Sequence, residues 1–182
     1  MIEFPPLPAW DAFHPLVIHF PVALLLVAPI FVVVGVVLAG DRGRAFLITA
    51  LVLMALGTVG TYVAVSTGEA AGELAQRNPA ISAVLQHHEQ LAEATRVVFS
   101  ALTLIFSAIL FVPVLLKRSL GRGMATALIV IFLAGYGAGS VLLANTAHNG
   151  GRLVHELGVR ALMSSQPLPD TKRARFERHE NH

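Results

Sequence analysis

Four stretches of this chain contain no Asp, Glu, Lys or Arg: Leu16–Leu38, Ala45–Val65, Val97–Leu116 and Ala125–Ala144. Each is about 20 residues or slightly longer, the length at which a helix rising about 1.5 Å per residue crosses a bilayer's hydrocarbon. Buried helices of soluble proteins rarely run so far without a charge, so the pattern predicts an all-α membrane protein, a four-helix transmembrane bundle. Expected helices are about 15–38, 45–65, 80–116 and 124–148. They form one domain, residues 1–162, followed by a polar C-terminal tail, 163–182. The third helix is expected to start near Pro79 or Ala80, because Leu85, His88, Leu91, Ala92 and Thr95 keep helical spacing well before Val97. Asn149-Gly150-Gly151 reads as the C-cap and turn of the fourth. Leu153–Leu162 reads as a short amphipathic segment at the interface.

The first run does not read as a cleavable signal. The N-terminus is acidic (Glu3, Asp11) and the apolar stretch is too long. Arg42 and Arg44 in the first connection, and Lys117, Arg118 and Arg122 in the third, mark those loops as cytoplasmic by the positive-inside rule. The second connection carries Glu69, Glu73, Glu89 and Glu93 and reads as external. The expected protein is therefore a multi-pass protein of the bacterial inner membrane with external, periplasmic termini. The tail's Lys172, Arg173, Arg175 and Arg178 run against this but lie beyond the reach of the rule.

Composition narrows the chemistry. Charged residues are 13% of the chain and apolar residues 55%, against about 25% charged in soluble domains. The absence of cysteine excludes disulfides, thiolate zinc sites, iron–sulfur clusters and c-type haem attachment. A formal charge of +2 implies no bulk attraction to nucleic acid. His88-Glu89-Gln90-Leu91-Ala92 and His155-Glu156-Leu157-Gly158-Val159 both lack the second histidine of a zinc-protease motif. The cytoplasmic half offers almost no polar path for a transported solute.

Histidines are the informative residues. His14, His19, His87, His88, His148 and His155 all fall at the same end of the predicted bundle, and His179 and His182 lie in the tail. Neutral imidazole is the commonest protein metal ligand. His14 and His19 stand about 140° and about 7.5 Å apart on an ideal helix, so they do not share one ion. Two histidines on different helices can hold haem b without cysteine. Gly57 and Gly60, with Gly135, Gly137 and Gly139, serve either close helix packing or flat space for a cofactor. Phe13, Phe20 and Phe99 are candidate walls, and Arg96, Arg152 and Arg160 candidate partners for haem propionates; core packing and lipid headgroups are the plainer roles for them.

Phe13-His14-Pro15-Leu16-Val17-Ile18-His19-Phe20-Pro21 resembles the opening of a bacterial family of predicted membrane proteins, the domain of unknown function 2231. Ala147-His148-Asn149-Gly150-Gly151-Arg152-Leu153-Val154 resembles its closing, and His88-Glu89-Gln90-Leu91-Ala92 fits its middle. The resemblance covers roughly residues 10–160. It implies a four-helix membrane domain with recurrent histidines, sometimes joined to cytochrome-type domains. Carried over residue by residue, it points to His14, His19, His88 and His148. The family usually has tyrosine at the position of His155, which with His87 is held in reserve.

Together these readings give a b-type haem protein binding one or two haems through His14, His19, His88 and His148. It is expected to move electrons between quinol in the lipid bilayer and an external cytochrome or larger membrane complex, as a carrier rather than a substrate-transforming enzyme. The alternatives are a cofactor-free accessory subunit of such a complex and a non-haem metal-binding membrane protein.

Overall fold

The structure, a computed structural model, describes residues 9–75, 78–117 and 121–159. A 3-10 turn, Trp10–Phe13, leads into α1 (His14–Val17) and α2 (His19–Leu38), which are followed by α3 (Gly40–Glu73), α4 (Pro79–Leu115) and α5 (Arg122–His155). Among the described residues there is no strand, and four helices are long and apolar enough to cross a membrane, α1 and α2 acting as one. Helices adjacent in sequence pack side by side, and α2 also meets α5.

The helices outlast their apolar runs. At 37 residues, α4 is about 55 Å long, against about 30 Å of hydrocarbon. It starts at Pro79, with the Asn78 side chain accepting from the Ile81 N–H at 2.9 Å, an N-cap followed by proline at N1. α3 runs on past Val65 to Glu73, and α5 past Ala144 to His155. Asn149-Gly150-Gly151 does not end α5 as the sequence suggested. The Asn149 side chain donates to the Asn145 carbonyl at 2.9 Å and stays within the helix. The left-handed glycine beyond the helix end is Gly158, at φ 68°.

The first connection is shorter than four residues. α2 and α3 are separated only by Ala39, where φ is 51°, and Gly40 follows at φ 56°. Asp41, Arg42 and Arg44 therefore sit in the first turns of α3. Gly35 and Gly43 allow this tight reversal, because a Cβ on Gly43 would collide with the Gly35 carbonyl oxygen.

Prolines shape the first span. Pro21 has no N–H for the Val17 carbonyl, and its ring crowds that carbonyl. α1 ends at Val17, and Ile18 separates it from α2. Pro29 likewise leaves the Leu25 carbonyl without its helical donor. The Tyr136 hydroxyl of α5 donates to it at 2.7 Å, in a fully packed interior. Tyr136 is held edge-on by Phe99 at 5.4 Å and beside Phe132 at 5.7 Å, and Phe132 stacks on Phe106 at 4.9 Å. Leu25, Val32, Met54, Phe99 and Phe106 complete this core. Phe20, Val37, Leu104 and Ile131 stand exposed on the outside, as lipid-facing side chains do.

Buried hydroxyls join the helices. Thr58 meets Thr103 at 2.8 Å between α3 and α4, and Thr95 meets Thr146 at 2.8 Å between α4 and α5. Among the described residues, no buried side-chain nitrogen or oxygen lacks a partner.

Two stability outcomes follow. Tyr136→Phe should lower the unfolding free energy in detergent by about 1–2 kcal/mol. In a Pro29→Ala background, where residue 29 supplies its own N–H, the same change should cost much less; equal losses in both backgrounds would refute the pairing. Gly43→Ala should cost about 1–3 kcal/mol by overpacking against backbone, whereas Gly123→Ala, which meets nothing within 4 Å, should be neutral or slightly stabilising.

Candidate functional site

A cavity of about 430 Å³ opens at the end of the bundle formed by the helix extensions. Its lining comes from His14 and Pro15, from residues 64–75 of α3 and the turn after it, from residues 85–93 of α4, and from residues 150–159 at the end of α5. Each group lies at or just beyond the edge of an apolar run. The cavity therefore sits at the membrane–water boundary rather than in mid-bilayer. The volume is that of a small-molecule site.

Of the candidate histidines, the structure brings two to this cavity, His14 and His88. His14 Nδ1 lies 2.9 Å from the Ala64 carbonyl and 3.2 Å from the Thr67 hydroxyl of α3. His88 Nδ1 lies 3.0 Å from the Thr146 carbonyl of α5. A carbonyl only accepts, so in each ring Nδ1 carries the proton and Nε2 keeps its lone pair. An Nδ1–H anchored on a backbone carbonyl fixes the tautomer and orientation of a ligating imidazole. Both rings are half-buried, and loss of water favours the neutral form.

Glycines make the room for these rings. A Cβ on Gly68 would come within 2.9 Å of His14 Cε1, and one on Gly150 within 3.0 Å of His88 Cε1. A Cβ on Gly72 would lie 3.1 Å from Glu89 Oε1. These three glycines carry the geometry, and the sequence reading did not single them out for it. Those it did single out serve packing. Gly57 faces Leu25, Gly60 faces Pro21, and Gly139 faces Leu102 and Val98.

His19 and His148 are exposed and do not line the cavity; His19 Nδ1–H donates to the Pro15 carbonyl of its own chain segment at 3.1 Å. His87 and His155 are exposed as well. Phe99 is used in the core, Phe13 packs beside Trp10, and Phe20 is on the outside, so none of the three walls the cavity. Arg160, His179, His182 and the tail lie outside the described residues.

Among the described residues the charges of the lining are negative: Glu69, Glu89 and Glu93 border the cavity, with no lysine or arginine beside them. Arg96 pairs with Glu93 and lies 5.1 Å from the centre of the Tyr62 ring, while Arg152 pairs with Glu156 at 3.1 Å. Among the described residues, no group of three or more His, Asp or Glu converges to hold a free metal ion. The cavity is lined by two imidazoles from separate helices, each with Nδ1–H on a backbone carbonyl.

No curated protein and no solved structure matches the chain. A family model described as a predicted membrane protein does match, across residues 11–162, which takes in the whole described bundle except its first two residues. With four spanning helices behind that match, the chain belongs to the family of predicted membrane proteins known as the domain of unknown function 2231.

Proposed function

We propose that this protein is a b-type cytochrome of the bacterial inner membrane, holding one haem through His14 and His88 at its outer end. The observation that carries the reading is the pair of imidazoles lining one cavity, each with Nδ1–H fixed on a backbone carbonyl and Nε2 free. Two such ligands suit an iron that already has four porphyrin nitrogens. They do not suit a structural zinc, which takes four protein ligands. The lining supplies apolar surface for a macrocycle from Leu85, Leu153, Val154 and Val159, and among the described residues no cation for its propionates.

When bound, the haem supplies reversible one-electron chemistry. The chain's own part is to hold two neutral imidazoles in fixed tautomers and to keep lipid away from them. Its position at the membrane boundary suits exchange between quinol in the bilayer and an external cytochrome or larger complex. A second haem, which would need His19 and His148 as well, has no support in the cavity, since both side chains are exposed and do not line it. Arg42, Arg44 and Lys117 lie at the opposite end, and the positive-inside rule makes that end cytoplasmic. The cavity, the start of α1 and the end of α5 then face the periplasm.

Protein purified in mild detergent from haem-supplied cells should give a b-type reduced-minus-oxidised spectrum with one haem per chain by pyridine haemochrome. His14→Ala or His88→Ala should remove it, and His19→Ala and His148→Ala should keep it. A flat spectrum from folded, haem-replete protein would discard the cytochrome reading; metal analysis would then separate a metal protein from a cofactor-free subunit. Orientation is checked with single cysteines in this naturally cysteine-free chain. In spheroplasts an impermeant maleimide should label Gln86→Cys directly and Asp41→Cys only after permeabilisation, and the reverse pattern would invert the topology.

A further inference from the structure

The two histidines are held in the same way by two different helical hairpins. His14 begins the first hairpin and leans on its second long helix, α3. His88 lies in the first helix of the second hairpin and leans on α5. In α3 the accepting carbonyl is Ala64; three residues on, buried Thr67 bonds back to the Val63 carbonyl at 2.8 Å; four residues on stands Gly68, under the ring. In α5 the accepting carbonyl is Thr146; three residues on, buried Asn149 bonds back to the Asn145 carbonyl at 2.9 Å; four residues on stands Gly150, under the ring. Carbonyl, back-bonded polar residue and glycine thus recur at the same offsets, although the two helices share little sequence here.

The offsets have a physical reason. Residues four apart lie one above the other on a helix face. An imidazole whose Nδ1–H reaches the carbonyl of residue i lays its Cε1 edge over residue i+4. A Cβ at 2.9 Å from the His14 ring is closer than side chains tolerate, one at 3.0 Å from the His88 ring is at the edge of that range, and the obstacle in each case is a ring already fixed by its hydrogen bond. Any side chain at i+4 must push that ring off the helix.

We infer that the cavity consists of two equivalent half-sites, one per hairpin, and that Gly68 and Gly150 are the positioning residues that set each imidazole. The site takes one ligand per chain, which draws one nitrogen from each hairpin and so ties the hairpins together. The identity of that ligand as haem rests on the reading above; the half-site geometry does not.

The test is a pair of double-mutant cycles read as melting temperature in detergent, without added haem. Gly68→Ala and Gly150→Ala should each lower it by about 3–10 °C, the shift expected for overpacking by 1–3 kcal/mol. Truncating the facing ring should cancel the penalty: Gly68→Ala should cost little in a His14→Ala background, and Gly150→Ala little in a His88→Ala background. The crossed pairs, Gly68→Ala with His88→Ala and Gly150→Ala with His14→Ala, should be additive. Should a single glycine variant not fold, its double variant with the facing histidine removed must fold. Failure of that rescue, or rescue by the crossed pairs, overturns the half-sites. In protein from haem-supplied cells, either glycine variant should lose the b-type spectrum, as removal of the facing histidine does. A wild type without haem rejects the cytochrome reading and leaves the cycles to decide the half-sites on their own.

Discussion

In hydrocarbon a backbone carbonyl without a donor has no water to turn to. The first span of this bundle creates that problem twice, at Pro21 and at Pro29. It answers in two ways. At Pro21 the helix breaks, leaving the four-residue α1 to be placed separately from α2. At Pro29 the helix continues, and the Tyr136 hydroxyl of the last helix crosses the bundle to serve the Leu25 carbonyl. That one bond ties the first span to the last, and the aromatic core of Phe99, Phe106 and Phe132 is arranged around the ring that makes it. The break at Pro21 matters at the other end of the segment. α1 carries His14 against α3, while His19, one residue beyond the break, is turned outward.

Hydrophobic periodicity in a membrane chain reports lipid contact, and this decides what was legible. The four spans could be read from the absence of charge, and the family from two terminal motifs. The ends of the helices could not. Beyond Val65 and Ala144 the chain turns polar and glycine-rich, which resembles a loop in one dimension. Those segments are helical in the structure because Thr67 and Asn149 return their side chains to the helix and because their glycines face rings rather than open turns. They build the cavity.

The choice among the histidines was hidden for a related reason. Placement along the chain puts six of them at one end of the bundle, but only rotation about each helix axis says which face inward. His87 and His88 are neighbours in sequence, and one is exposed while the other lies under α5. The glycine that admits each ring is the signal that carries this information. Gly68 is 54 residues from His14, and Gly150 is 62 from His88, so no local motif joins them. Gly135-x-x-x-Gly139, the more visible pattern, is the close packing against α4 that such a spacing ordinarily gives.

The one-residue reversal at Ala39 bears on how the protein is made. The absence of a loop between α2 and α3 suits insertion of the two as one hairpin, and the seat of His14 is complete once Gly68 has been made. The seat of His88 waits for Gly150, 82 residues after Gly68. Any group that needs both seats meets an incomplete site until residue 150 has been made.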